Sequence, residues 1–238
     1  MITQQLPSPV KVGIIGGLGP KTGFSFAEHL NNRFNSSLQA QPDLLLLNLP
    51  VPNEVINRIV NGQQAQEMKT LLLQAVQRLN HAHVDFIVIP CNTVHIFIQE
   101  LRKNSQKPIL SIIEETANIC STKNVKKIGL LASTTTINQQ LHTKELQKKN
   151  ITTIIPSSTD QAKISQIIIR LIKNCFIPAD KKDIQKIIQT LVNHGAELIL
   201  LACTDLQLIL SQEDSPIPIL DTCKILEDAT LNKLLQKT

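Results

Sequence analysis

The chain contains an internal echo. The segment "HAHVDFIVIPCNT" (81–93) aligns without gaps on "NHGAELILLACTD" (193–205). Each passes from a helix end through an acid and an apolar run to a cysteine followed by a polar residue. Upstream, "KVGIIGG" (11–17) corresponds to "KIGLLAS" (127–133), and Gly13 precedes Cys91 by nearly the same distance as Gly129 precedes Cys203. Two anchors at matching separation describe two similar halves, so any fold proposed for one must serve the other.

The elements inside each half are readable from period and punctuation. Short apolar runs, at 11–17, 43–50, 85–90 and 108–113, then at 126–133, 151–156, 196–203 and 216–221, read as strands. Strands this uniformly apolar are expected to be covered on both faces, as in parallel sheets. Helical stretches fall between them: 22–34, 63–79 with Met68, Leu72, Ala75, Val76 and Leu79 on one face, a helix after Cys91, another near Glu114, then "TTTINQQLHTKELQKKN" and two segments over 160–194. Alternating strand and helix argues an α/β fold. We expect two similar α/β domains with mainly parallel sheets, related by pseudo-two-fold symmetry, with a site in the cleft between them. The halves span 1–113 and 114–218, and a C-terminal helix, 222–238, joins either one, the first by preference.

Composition excludes several classes. With no Trp, no Tyr and six Phe, the chain lacks the aromatic platforms on which bases stack. Its formal charge of +5 is scattered over isolated pairs such as Lys126-Lys127, Lys148-Lys149 and Lys181-Lys182, so no nucleic-acid partner is expected. No signal-peptide pattern opens the chain and no apolar run is long enough for a bilayer. Five cysteines do not suggest a disulfide framework, and the expectation is a cytoplasmic protein with free thiols and no membrane partner.

The glycine loop "GIIGGLGPKTG" (13–23) invites a phosphate reading that its spacing refuses. A Walker loop needs glycine where Pro20 stands before Lys21-Thr22, and the dinucleotide fingerprint needs its third glycine one residue before Gly23. Its place in the first half is the place that "GLLASTT" takes in the second. The loop is therefore expected to form one wall of a small-molecule site, opposite those threonines.

The echo singles out Cys91 and Cys203. Both fall at a strand's carboxyl end, where open α/β sheets bind ligands, and both precede an expected helix start. A helix N-terminus lowers a thiol's pKa from about 8.5, so a depressed value is expected here. Two thiols facing one cleft from opposite sides suit one chemistry: a thiolate removes a proton from carbon while the opposing thiol returns one to the other face. Packing is the alternative, and it is the reading for Cys120, Cys175 and Cys223. His81, His83, Cys91 and His95 are close in sequence but lack the spacing of a zinc site, so no metal is expected.

Together, "GIIGGLGP", "PCNTVH" and "ACTDL" resemble the aspartate/glutamate racemase family, most of all its cofactor-independent aspartate racemases. The likeness runs through nearly the whole chain, including "LLASTTTI" (130–137). It implies an isomerase without pyridoxal phosphate or any other cofactor, a small amino-acid substrate and a homodimer. It implies Cys91 and Cys203 as the two acid/base residues, each serving one enantiomer. Asn92, Thr93 and Val94 would offer donors to the substrate, and Thr204, Thr134 and Thr136 would grip its α-carboxylate, although the threonine run also reads as a helix cap. Lys173 stands where the family has a substrate-binding lysine, or is a solvated surface residue. At "PVPNEV" the family's Pro-Asp-Arg becomes Pro52-Asn53-Glu54, removing the arginine that binds a distal carboxylate. Asn53 and Glu54 thus leave the choice of amino acid open, with Glu54 expected to repel a dicarboxylate and Arg58 a conceivable substitute. Asp205 and Ala202 replace the family's Glu and Gly. A related isomerase or decarboxylase of another α-substituted acid, or a non-catalytic amino-acid-binding protein, would share these features.

Overall fold

In a computed structural model, residues 10–19 and 21–235 are described. Pro20 and the outer ends of the first and last segments, 1–9 and 236–238, lie outside them. The first half runs β1 (Lys11–Gly16), α1 (Thr22–Leu38), β2 (Asp43–Asn48), α2 (Asn53–Val60), α3 (Gln66–His81), β3 (Phe86–Val88), a 3-10 turn (Thr93–Phe97), α4 (Ile98–Asn104) and β4 (Ile109–Leu110). After α5 (Ile112–Ser121) come β5 (Lys127–Ala132), α6 (Thr134–Asn138), α7 (Leu141–Gln147), β6 (Thr152–Ile154), α8 (Ser158–Ile172), α9 (Pro178–Asn193), β7 (Leu198–Ala202), β8 (Ile219–Asp221) and α10 (Thr222–Leu235). Two four-stranded parallel sheets result, in the orders β2-β1-β3-β4 and β6-β5-β7-β8.

The echo survives at the level of single contacts. Gly13 pairs with Ile87 across β1 and β3, and Gly129 pairs with Ile199 across β5 and β7. Both glycines admit a leucine from the covering helix: a Cβ on Gly13 would stand 2.9 Å from Leu79, and one on Gly129 would stand 3.2 Å from Leu191. The two acids of the repeat meet the strand starts in the same way: the Asp85 N–H donates to the Lys11 carbonyl at 2.7 Å and the Glu197 N–H to the Lys127 carbonyl at 2.9 Å. Equivalent residues therefore make equivalent bonds, which is why the two sheets share one topology.

Some boundaries differ from those read in the sequence, each for a local reason. The fourth strand stops at Leu110, because the buried Ser111 hydroxyl accepts the Glu114 N–H and caps α5. The segment 134–150 breaks into α6 and α7 at Gln140, which takes a left-handed conformation with φ of 55°. The chain after Cys91 enters a 3-10 turn before α4. Helix α2, which the sequence pattern did not reveal, begins at Asn53.

Three elements bind the halves together. Helix α5 straddles residues 113 and 114: its Ile112 and Ile113 join the core under α1, while Ala117 and Cys120 join the core beneath β5 and β7. Helix α10 sends Cys223, Leu226, Leu231 and Leu234 into the first half's core with Val12, Ile14 and Phe26. Helix α2 lays Ile56 and Val60 against Ile164, Ile168 and Ile172 of α8. Among the described residues no helix is long and apolar enough to cross a membrane.

The turn after β1 is set by Gly17, with φ of +83°, where a Cβ would collide with the backbone of Leu49. A Gly17→Ala variant is expected to lose roughly 1–3 kcal/mol of stability. Urea unfolding measures it, and an unchanged midpoint would contradict this account of the turn.

Candidate active site

Cys91 follows the end of β3 and Cys203 follows β7 directly. Both line one cavity between the halves, together with Asn92, Thr93, Val94, Thr204, Asp205 and Leu18. What brings them together is a polar seam. The Thr204 hydroxyl donates to the Pro90 carbonyl at 3.2 Å, so the loop carrying one cysteine is bonded to the loop carrying the other. Asn92 donates to Thr222 Oγ1 at 2.9 Å and accepts from His142 Nε2 at 2.8 Å, while Thr222 donates to the Leu201 carbonyl at 2.8 Å. Thr93 and Ser133 share a hydroxyl bond of 2.8 Å, and Ser133 and Thr136 another of 3.0 Å.

This seam redistributes the roles expected from the sequence. The side chain of Asn92 is committed to Thr222 and His142, and those of Thr93 and Thr204 also bond protein partners, so backbone N–H groups are what these loops leave for a substrate. Thr134 and Thr136 are not part of the cavity lining. Thr134 bonds Ser165 at 2.7 Å, Thr136 bonds Ser133, and Thr135 bonds the Ile59 carbonyl, tying α6 to α2. Ser133 caps α6 by accepting the Thr136 N–H. Asn53 and Lys173 lie instead on an open groove of about 710 Å³, which shares Ile56 and Ile172 with the inner cavity. Glu54 is exposed and lines neither space. Arg58 is held by Glu67 at 2.6 Å on the surface, so it does not replace the missing arginine.

The inner cavity is small, with a volume of about 20 Å³, room for about one water. That tightness governs the thiols. Burial pushes Cys91 up to about 12 against the N–H groups of Val94 and Thr93, and the nearby Asp205 charge raises it further. Burial also raises Cys203 strongly, with Asp205 and Cys91 adding to the effect against the N–H groups of Asp205 and Leu206. The expected lowering by helix N-termini is therefore reversed. The donors are present, but desolvation of a thiolate outweighs them. The turns behind both cysteines are also short 3-10 segments, Thr93–Phe97 and Leu206–Leu208, without the dipole of a long helix.

Asp205 is the group whose importance the sequence left unstated. It is 3% exposed, accepts from Thr22 Oγ1 at 2.9 Å, and has Oδ2 at 3.9 Å from Cys203 Sγ. Burial raises it to about 6 despite the Thr22 and Cys203 bonds. Gly19 of the glycine loop lies so close that a Cβ there would stand 2.6 Å from Asp205 Oδ1. The loop's glycines thus receive this carboxylate and Leu49, while Leu18 supplies the cavity wall. His95 is neutral, lowered to about 4 by burial, and clamps the Cys91 loop: Nδ1–H donates to the Cys91 carbonyl and Nε2 accepts from Ile112. Among the described residues no group of three or more His, Cys, Asp or Glu side chains is placed to hold a metal ion.

The pattern of the family described as Asp/Glu/Hydantoin racemase matches residues 15–230. The broad specificity amino-acid racemase RacX of Bacillus subtilis is 28% identical over 232 residues, covering 94% of this chain and 98% of that protein. The structure of Picrophilus torridus aspartate racemase superposes with a TM-score of 0.77 at 25% identity, over 94% of each chain. Glutamate racemase isoform RacE1 of Bacillus anthracis shares the fold, with a TM-score of 0.68 at 15% identity over 95% of this chain and 82% of that one.

Cys203 is buried and Cys91 partly so, and the raised thiols predict slow labelling. At pH 8 iodoacetamide is expected to modify the exposed Cys175 at least roughly tenfold faster than Cys91 or Cys203. Because the Cys91 pKa lies far above the assay range, its labelling rate should rise about tenfold per pH unit from 7 to 9 without a plateau. Site-resolved mass spectrometry reads both, and a plateau below pH 8 would mean the thiol is not held high.

Proposed function

This chain belongs to the Asp/Glu/hydantoin racemase family, and on that premise we propose that it is an amino-acid racemase working through two cysteines and without a cofactor. The observation that carries the proposal is the presence of Cys91 and Cys203 on the wall of one cavity, each delivered by the equivalent strand of a repeated half. One sulfur, as thiolate, takes the α-proton. The Cα–H bond breaks as an S–H bond forms, and the opposing thiol gives its proton to the other face of the carbon, inverting it. Either cysteine can begin, so each enantiomer has its own base.

The raised thiol pKa values fit this chemistry. The α-proton is very weakly acidic, and a thiolate that is rare but strongly basic is better matched to it than an acidified one. The substrate's α-ammonium supplies the positive charge that the cavity lining lacks, favouring thiolate once it is bound. Backbone N–H groups of Thr93, Val94, Asp205 and Leu206 face the sulfurs and the carboxylate end of the site, where negative charge develops. Asp205 accepts the Cys203 proton when that sulfur must act as base, and Thr22 and Gly19 hold it in place.

Two outcomes are expected from stereochemical assays on L- and D-amino acids, read by circular dichroism. Cys91→Ser and Cys203→Ser should each lower racemisation roughly 10²–10⁴-fold, and full activity in both would reject the mechanism. In the unsubstituted protein kcat/KM should rise with pH through about 6, as Asp205 loses its proton and becomes able to accept one from Cys203. Asp205→Asn should abolish that limb, and an unchanged profile would remove Asp205 from the proton path.

A further inference from the structure

The cavity lining is of two kinds. One is polar: the sulfurs, the backbone N–H groups of the cysteine loops and the carboxylate of Asp205. The other, packed around the cysteines, is aliphatic: Ile56, Ile59 and Val60 of α2, Met68 of α3, and Ile168 and Ile172 of α8. Each is 7% exposed or less and belongs to a hydrophobic core. Among the described residues lining the cavity none is Lys or Arg, and Asp205 carries the one formal charge.

We infer that the aliphatic part of this lining receives the substrate's side chain, and that the preferred substrates are neutral α-amino acids such as alanine, leucine and methionine rather than aspartate or glutamate. This inference rests on the racemase reading, because the requirement that Cα sit between Cys91 and Cys203 is what places a substrate in this cavity. An amino acid is far larger than one water, so its entry requires α2 and α8 to part, and the side chains it then meets beyond the cysteine loops are these aliphatic ones.

The discrimination follows from solvation. A carboxylate one or two carbons from Cα would lie among Ile56, Ile168 and Ile172 with no cation and no hydrogen-bond donor from those side chains, which is strongly unfavourable for an ionised group. The cations of the neighbouring surface are elsewhere: Arg58 is paired with Glu67, and Lys173 is exposed on the outer groove. A cationic side chain fares no better, because the cavity's one carboxylate, Asp205, is already bonded to Thr22 and Cys203. Repulsion by Glu54, the reason the sequence suggested for excluding dicarboxylates, is not needed, since Glu54 faces neither space.

The test measures α-hydrogen exchange in deuterated water by proton NMR, for alanine, leucine, methionine, aspartate, glutamate and lysine. Binding of the same six is measured by calorimetry. Leucine or methionine should exceed aspartate in kcat/KM by roughly a hundredfold, and should bind where aspartate does not. Ile56→Arg, whose long side chain can reach water through the shared groove, should raise the glutamate-to-leucine ratio by roughly tenfold or more. Asn53→Arg on the exposed groove wall should move it in the same direction if the first variant fails to fold. Exchange that favours aspartate, or a ratio unmoved by either substitution, overturns the aliphatic pocket and leaves the racemase reading standing. Binding that favours leucine with no exchange of any amino acid does the reverse: the pocket stands and the racemase reading falls.

Discussion

The hydrogen bond from the Thr204 hydroxyl to the Pro90 carbonyl is the contact on which the site depends. A repeated α/β unit supplies two strand-end cysteines, but repetition alone leaves them on separate sheets. The Thr204 bond, the His142–Asn92–Thr222 chain and the Thr93–Ser133 pair fix the two loops edge to edge. These polar groups are buried and span the halves, so each loses a partner if the halves part. Around them the isoleucines of α2 and α8 close the space to water. The seam thus does two things at once: it brings both cysteines to the wall of one cavity and keeps that cavity small.

Dryness decides the electrostatics. The same backbone donors that would acidify an exposed thiol are present, yet burial overrides them for both cysteines. The consequence for the proposed chemistry is a resting pair of thiols whose conjugate bases are strong. Asp205, raised only to about 6 and touching Cys203, is the nearest group able to accept a proton near neutral pH. A carboxylate in that position needs a neighbour without a side chain and a hydroxyl donor, which Gly19 and Thr22 provide. In this light the glycine-rich loop serves a carboxylate of the protein rather than a phosphate of a ligand.

Much of this was legible in the chain. The gapless match of 81–93 on 193–205 reports real pairing, since Gly13 with Ile87 and Gly129 with Ile199 occupy the same register. The cysteines could be found because they end equivalent strands. What stayed hidden depended on partners far away in sequence. Nothing near Asn92 says that its side chain is taken by His142 and Thr222, and nothing in "STTT" says that Thr134 turns to Ser165 while Thr135 bonds Ile59. The sign of the thiol shift was missed because local sequence displays the helix start but not the desolvation, which comes from α2, α3 and α8 closing over the site. Glu54 drew attention by departing from a family motif, whereas the wall that faces the cavity is made of ordinary isoleucines one turn further along α2.

The central claim is that two sulfurs act on opposite faces of one carbon, and isotope placement tests it most directly. The racemisation of a single enantiomer is started in deuterated water and stopped within the first few per cent of conversion, and the α-deuterium content of each enantiomer is measured. Two opposed thiols predict deuterium in the newly formed enantiomer and almost none in the recovered starting material, because the proton taken on one face differs from the deuteron delivered on the other. Equal early labelling of both enantiomers would mean that a single group serves both faces, and would contradict the account.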